Sequence, residues 1–150
     1  MKYKEEKNKA LFVNFLLLTW FSMGMLGFSV GEIVLVQAAW MQIDGIFNLI
    51  FLLLILLFFL KERYGKYPLT LLLIIWLISQ FRFHWFYTIF GASAERIANY
   101  YDWYSNTFFV ISSETRIIPD LWHMVLHILV LCALISMIRY CIKIKVSPSF

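Results

Sequence analysis

Apolar residues run along this chain in four long blocks, separated by short polar punctuation. A membrane-spanning helix needs about 20 mostly apolar residues. Four segments meet that length, at about 10–31, 39–60, 68–90 and 119–140. The third begins at Pro68, whose fixed φ and missing N–H suit a first helical turn. The fourth begins at Pro119 or Asp120. The pattern predicts an all-α integral membrane four-helix bundle, a single domain over residues 1–150.

The longest stretch outside these blocks is the loop at 91–118. Ser93 is placed to cap a short helix, with Glu95 in its first turn complementing the helix dipole. Tyr100, Tyr101, Trp103, Tyr104, Phe108 and Phe109 follow, an aromatic density that suits the headgroup zone of a bilayer. The expectation is a short interfacial helix and an extended return, anchored at the membrane surface. A lid over a site is the competing functional reading of the same segment.

Composition agrees with the block pattern. The chain is 62% hydrophobic and 15% charged, too few charges to coat a soluble domain of this size. The net charge of +4 raises the question of nucleic acid. The basic residues cluster at block ends instead of along one surface, so they read as topology signals, and the expected partner is the lipid bilayer. Ten of the thirteen Lys and Arg lie in the N-terminal segment, the 61–66 connection and the C-terminal tail. With an even number of spans these three regions share one side, with a local charge of +7 against −3 opposite. The positive-inside rule makes that side the cytoplasm, giving a multi-pass protein of the cell membrane with both termini inside. Lys2, Lys4, Lys7 and Lys9 followed by an apolar block imitate a signal peptide. Its apolar region would be about 7–15 residues, and this block is longer, so an uncleaved span is expected.

Cysteine narrows the chemistry. Cys132 and Cys141 lie nine apart on one expected helix, on nearly opposite sides. There is no C-x-x-C and no C-x-x-C-H, which counts against a thiol oxidoreductase and a covalently attached haem. No Gly-rich phosphate cradle is present, and the cytoplasmic connections are too short to build a nucleotide-driven domain.

The polar residues inside the blocks are the candidate chemistry, because ionisable groups at membrane depth are costly. All three histidines, His84, His123 and His127, lie there. Asp120, His123 and His127 share one face of the fourth helix, and Gln80, His84 and Thr88 share one face of the third. Asp44 and Asn48 are one turn apart near the outer end of the second. Ser22, Ser29 and Glu32 form a sparser stripe on the first. The inner halves are nearly featureless. Four stripes at one level predict a polar pocket in the outer half of the bundle, closed below by an apolar plug. That plug argues against a self-sufficient channel.

By helix rise, His84 and His127 lie at matching depth, roughly 10 Å below the outer surface. Three ligand readings follow. His123-x-x-x-His127 has the spacing of H-E-x-x-H zinc sites without the glutamate, since position 124 is Met124. His84 and Asp120 would complete a zinc set. Alternatively His84 and His127 would be axial ligands of one haem. The plain reading is hydrogen bonding between helices. Glu32 and Asp44 are read first as residues in headgroup water, and Asp120 equally as a helix N-cap. Gly27-x-x-x-Gly31 supplies a small-residue face for packing against another helix or another copy of the chain.

The functional expectation is a small membrane protein whose outward-facing His/Asp/Gln pocket binds a small molecule, a lipid headgroup or a partner membrane protein. The binding residues would be His84, His123, His127, Asp120, Gln80, Asp44 and Asn48. The alternative is a membrane-embedded histidine-dependent enzyme, with or without zinc, acting on a lipidic substrate.

Overall fold

The computed structural model describes residues 2–146. Four helices are long and apolar enough to cross a membrane: α1 (Lys2–Leu26), α2 (Ile43–Leu60), α3 (Glu62–Phe90) and α5 (Leu121–Val146). A fifth, α4 (Ala94–Trp103), lies in the long connection between α3 and α5. A two-stranded antiparallel hairpin, β1 (Phe28–Val30) and β2 (Ile33–Val36), joins α1 to α2. The chain is therefore mostly helical but not all-α.

The hairpin replaces the last turn expected for the first span. Gly27 adopts φ +79° directly after Leu26 and ends the helix as a left-handed cap residue. The β-branched residues beyond it, Val30, Ile33, Val34 and Val36, favour extended backbone. Gly31 turns the chain with φ +61° while Glu32 stays at negative φ. That sign pattern belongs to the type II′ hairpin turn. Gly27 and Gly31 thus lie outside any helix, and the small-residue helical face expected from their spacing does not form. Ser29 and Glu32 likewise leave the first helix and its polar stripe.

The second surprise is the α2–α3 corner. The segment read as a loop, 61–66, is helical except for Lys61, which alone separates the two helices. Gly65 makes so abrupt a corner possible. A Cβ there would stand 2.2 Å from the backbone N of Phe58. Helix α3 therefore begins six residues before Pro68, and Pro68 sits inside it.

The first and last long helices, α1 and α5, pack antiparallel. Lys143 bonds Glu6 at one end of the bundle, while Trp20 stacks on Trp122 at 4.5 Å toward the other. The terminus-bearing end is tied to the α2–α3 corner through Lys7, which pairs with Glu62 at 3.0 Å and donates to Phe59 O. Between the ends lies an aromatic core in which Phe21, Phe47 and Phe51 pack edge-on around Trp76. The outward faces remain apolar. Leu49, Leu53, Phe59 and Leu60 of α2 are all more than half exposed, a distribution that suits lipid and would be costly in water.

Candidate functional site

Opposite the terminus-bearing end, the long connection folds back over the bundle. Ser93 caps α4 as expected, its side chain accepting from Arg96 N. The return strand is clasped by Tyr101, whose hydroxyl donates to Arg116 O and accepts from the N–H groups of Ser113 and Ile118. Arg116 in turn donates to the carbonyls of Thr88 and Ile89, satisfying the open C-terminal end of α3. Phe108 N donates to Val34 O, which ties the return to the hairpin. The aromatic loop is thus a structured cover held by its own polar atoms.

Beneath it, α3 is interrupted by one π-helical turn, Phe81–Trp85. Such a turn carries an extra residue and shifts the helical phase beyond it. His84 sits in this turn and is buried. Its Nδ1 is 2.8 Å from the Tyr100 hydroxyl of α4. Its ring stacks on that of His123 at 4.2 Å between centroids, inclined by 28°. Tyr104 packs against both imidazoles.

His123 is held from behind by Asp120, which has no exposed surface. One carboxylate oxygen, Oδ1, accepts from His123 N at 2.8 Å, as an N-cap, and lies 2.7 Å from His123 Nδ1. The other, Oδ2, accepts from Thr107 at 3.0 Å. The N-cap and the functional readings of Asp120 are thus one arrangement. A carboxylate only accepts, so it assigns a proton to His123 Nδ1 and leaves Nε2 as the nitrogen that Asp120 does not engage. The same aspartate that starts α5 therefore fixes the orientation and tautomer of its first histidine.

These groups wall a cavity of about 710 Å³, within the usual range of ligand pockets. Asp44, Gln80, His84 and His123 line it from the bundle, and Glu95, Arg96, Asn99, Tyr100, Trp103 and Tyr104 from the cover. A smaller neighbour of about 120 Å³ shares Asp44, Gln80, Trp103, Tyr104 and His123. The side-chain oxygen of Gln80 is buried without a hydrogen-bond partner. The guanidinium of Arg96 lies over the ring of Tyr87, 4.7 Å from its centroid. Burial raises the Tyr100 phenol well above its ordinary range. The Tyr104 phenol is pushed up to about 12, by burial first and then by the carboxylates of Asp120 and Asp44.

The structure gathers four of the seven residues expected from sequence, Gln80, Asp44, His84 and His123, onto this cavity, with Asp120 directly behind them. It leaves two out. Asn48 is buried against Ser22 and pairs α1 with α2. His127 packs against Trp85, and neither its Nδ1 nor the indole nitrogen of Trp85 has a protein partner. The depth match of His84 and His127 is therefore not a contact, and the partner of His84 is His123. The reason lies in the π turn and the cover, which together set where His84 points.

The ligand sets expected from sequence are not assembled. Among the described residues no group of three or more His, Cys, Asp or Glu side chains is placed to hold a metal ion. The Nδ1 atoms of His84 and His123 face Tyr100 and Asp120, and His127 packs against Trp85. Stacked imidazoles present π faces to each other, whereas zinc or haem ligation needs nitrogen lone pairs aimed at one metal. The sequence reading missed Thr107, Glu95, Arg96 and Asn99. The aromatic density of the loop marks Tyr100 and Tyr104 only as surface aromatics. Only the lid reading of the loop pointed toward them.

Comparison with known proteins returns no matching family, no matching curated relative and no matching solved structure.

Proposed function

We propose that this chain is a multi-span protein of the cell membrane that binds a small polar molecule or a lipid headgroup in the open-sided cavity between α4 and the bundle. The Asp120–His123–His84 cluster supports the reading most directly. It is a buried carboxylate holding an imidazole in one tautomer, with that imidazole stacked on a second one at the wall of a ligand-sized cavity. Buried polar groups of this kind are costly in a membrane protein unless they have work to do. Gln80, whose oxygen lacks a protein partner beside the same cavity, supports it independently. The charge distribution supports an orientation with both termini in the cytoplasm and the cavity at the outer face.

One observation favours a second reading, general-base catalysis. Asp120 orients His123 as the carboxylate of a hydrolytic triad orients its histidine. Among the described residues the only Ser or Thr lining the main cavity is Ser93, whose hydroxyl caps α4. A catalytic His123 would therefore activate water or a hydroxyl of the substrate.

Native mass spectrometry of protein extracted from its membrane in mild detergent tests the binding reading. A bound adduct of defined mass is expected, reduced in His123→Ala and in Asn99→Trp, which fills the cavity from its rim. Equal adduct patterns in all three proteins would refute a site in this cavity.

A further inference from the structure

We propose that the ligand of the cavity carries a primary ammonium group, a reading that rests on the cavity being a binding site. Charge comes first. Two carboxylates, Asp44 and Glu95, line the cavity against one guanidinium, Arg96. Arg96 is engaged over Tyr87. Asp120, one side chain behind the wall, has hydrogen-bond partners but, among the described residues, no Lys or Arg ion-pair partner. Behind the wall its charge is offset by Arg82, which bonds the hydroxyl of the lining residue Tyr87. The balance is therefore that of the lining itself, two carboxylates against one guanidinium, a small negative excess that favours a cation over an anion.

Hydrogen-bonding capacity comes second. The bundle side offers acceptors: the carboxylate of Asp44, the ring nitrogen of His123 that Asp120 does not engage and, once its buried side chain turns toward the cavity, the unpartnered oxygen of Gln80. An ammonium with three N–H donors matches three acceptors. Aromatic surface comes third. Tyr100, Trp103 and Tyr104 stand over the opposite wall, and π faces hold cations within about 6 Å of their centroids. Carboxylates, neutral acceptors and aromatic rings around one ligand-sized space all select the same chemical class. The ammonium belongs either to a free amine or to an ethanolamine phospholipid headgroup, whose phosphate would meet Arg96.

The experiment is thermal unfolding of the full chain in dodecyl maltoside, titrated with five probes. These are ethanolamine, choline, glycerol phosphate, lysophosphatidylethanolamine and lysophosphatidylglycerol. A saturable rise in melting temperature is expected with ethanolamine and lysophosphatidylethanolamine. If only the lipid acts, the ligand is the headgroup; if ethanolamine acts equally well, it is the free amine. Choline keeps the positive charge but has no N–H, and is expected to bind at least tenfold more weakly. Asp44→Asn combined with Glu95→Gln is expected to weaken ethanolamine or lysophosphatidylethanolamine at least tenfold. The ligand-free melting temperature of that variant reports its folding separately. Choline binding as well as ethanolamine overturns the donor argument and with it the proposal. So does binding unchanged in the carboxylate variant. Stabilisation by glycerol phosphate or lysophosphatidylglycerol and not by the amines overturns the ammonium class but leaves a binding cavity standing. A native mass adduct with no response to either amine does the same.

Discussion

Asp120 offers a prediction in which two substitutions at one position separate cleanly. Both His123 bonds go to Oδ1, and only Thr107 uses Oδ2. In Asp120→Asn the carbonyl oxygen keeps both His123 bonds, and asparagine is as good an N-cap as aspartate. The new amide replaces Oδ2 and donates to Thr107 Oγ1. Thr107 has a single proton and two acceptors within reach, Tyr104 O at 2.9 Å and Asp120 Oδ2 at 3.0 Å. With the amide donating, that proton goes wholly to Tyr104 O, so every partner stays satisfied. The buried charge disappears as well. The expected cost is under about 1 kcal/mol. Asp120→Ala removes all three bonds, losing the cap, about 1 kcal/mol, and leaving the His123 Nδ1–H buried without its acceptor, about 1–3 kcal/mol. A total near 3 kcal/mol follows from these two contributions. Reversible unfolding with dodecyl sulfate in maltoside micelles measures both variants. Equal losses for Asn and Ala would refute the bonding scheme, because they would make the charge itself, and not the oxygen positions, the stabilising feature.

Gly65→Ala is expected to destabilise by about 3 kcal/mol, since the added Cβ meets the backbone of Phe58; Gly31→Ala meets nothing within 4 Å and is expected to cost only about 1 kcal/mol of left-handed strain. The same unfolding assay ranks them, and a reversed order would contradict the tight α2–α3 corner. Tyr104 makes stability fall at alkaline pH: its folded phenol titrates near 12, so the stabilisation is complete below pH 10, where the unfolded phenol begins to ionise, and is lost as pH rises through about 12. Tyr104→Phe should lessen the fall in stability between pH 10 and 12, leaving the part that the raised Tyr100 phenol contributes, and an unchanged slope would show that the Tyr104 phenol is not buried as described. Asn106→Cys, in a background lacking Cys132 and Cys141, should react with an impermeant thiol reagent from outside intact cells; reaction only after permeabilisation would reverse the proposed orientation.

Much of this was written in the order of residues. Four apolar blocks of spanning length determine four helices, because a bilayer core admits long runs of backbone only when each residue bonds within its own segment. Ser93 announced the cap of α4, and Asp120 that of α5, because capping is a local matter of one side chain and the next turn. The presence of polar residues in the half remote from the termini was likewise legible from spacing and helix rise. Local signals also existed for the parts misjudged: two glycines with β-branched neighbours mark the hairpin, and Gly65 marks the corner. Their spacing alone allowed the helical reading, because glycine's left-handed conformation and its close approach to Phe58 are visible only in three dimensions.

The site itself was decided by tertiary structure. Sequence put His84 and His127 at equal depth, but depth along a helix does not fix direction around it. A π turn in α3 changed that direction, and the loop supplied Tyr100, Tyr104 and Thr107 from residues that spacing could not place over the bundle. His123 became the partner of His84, while His127 was left against Trp85. The chain alone thus determined which residues lie within the four helices of spanning length, since that depends on local apolar length. Only the fold decided which of them face one another, since that depends on helix phase, on crossing partners and on where a long connection comes to rest.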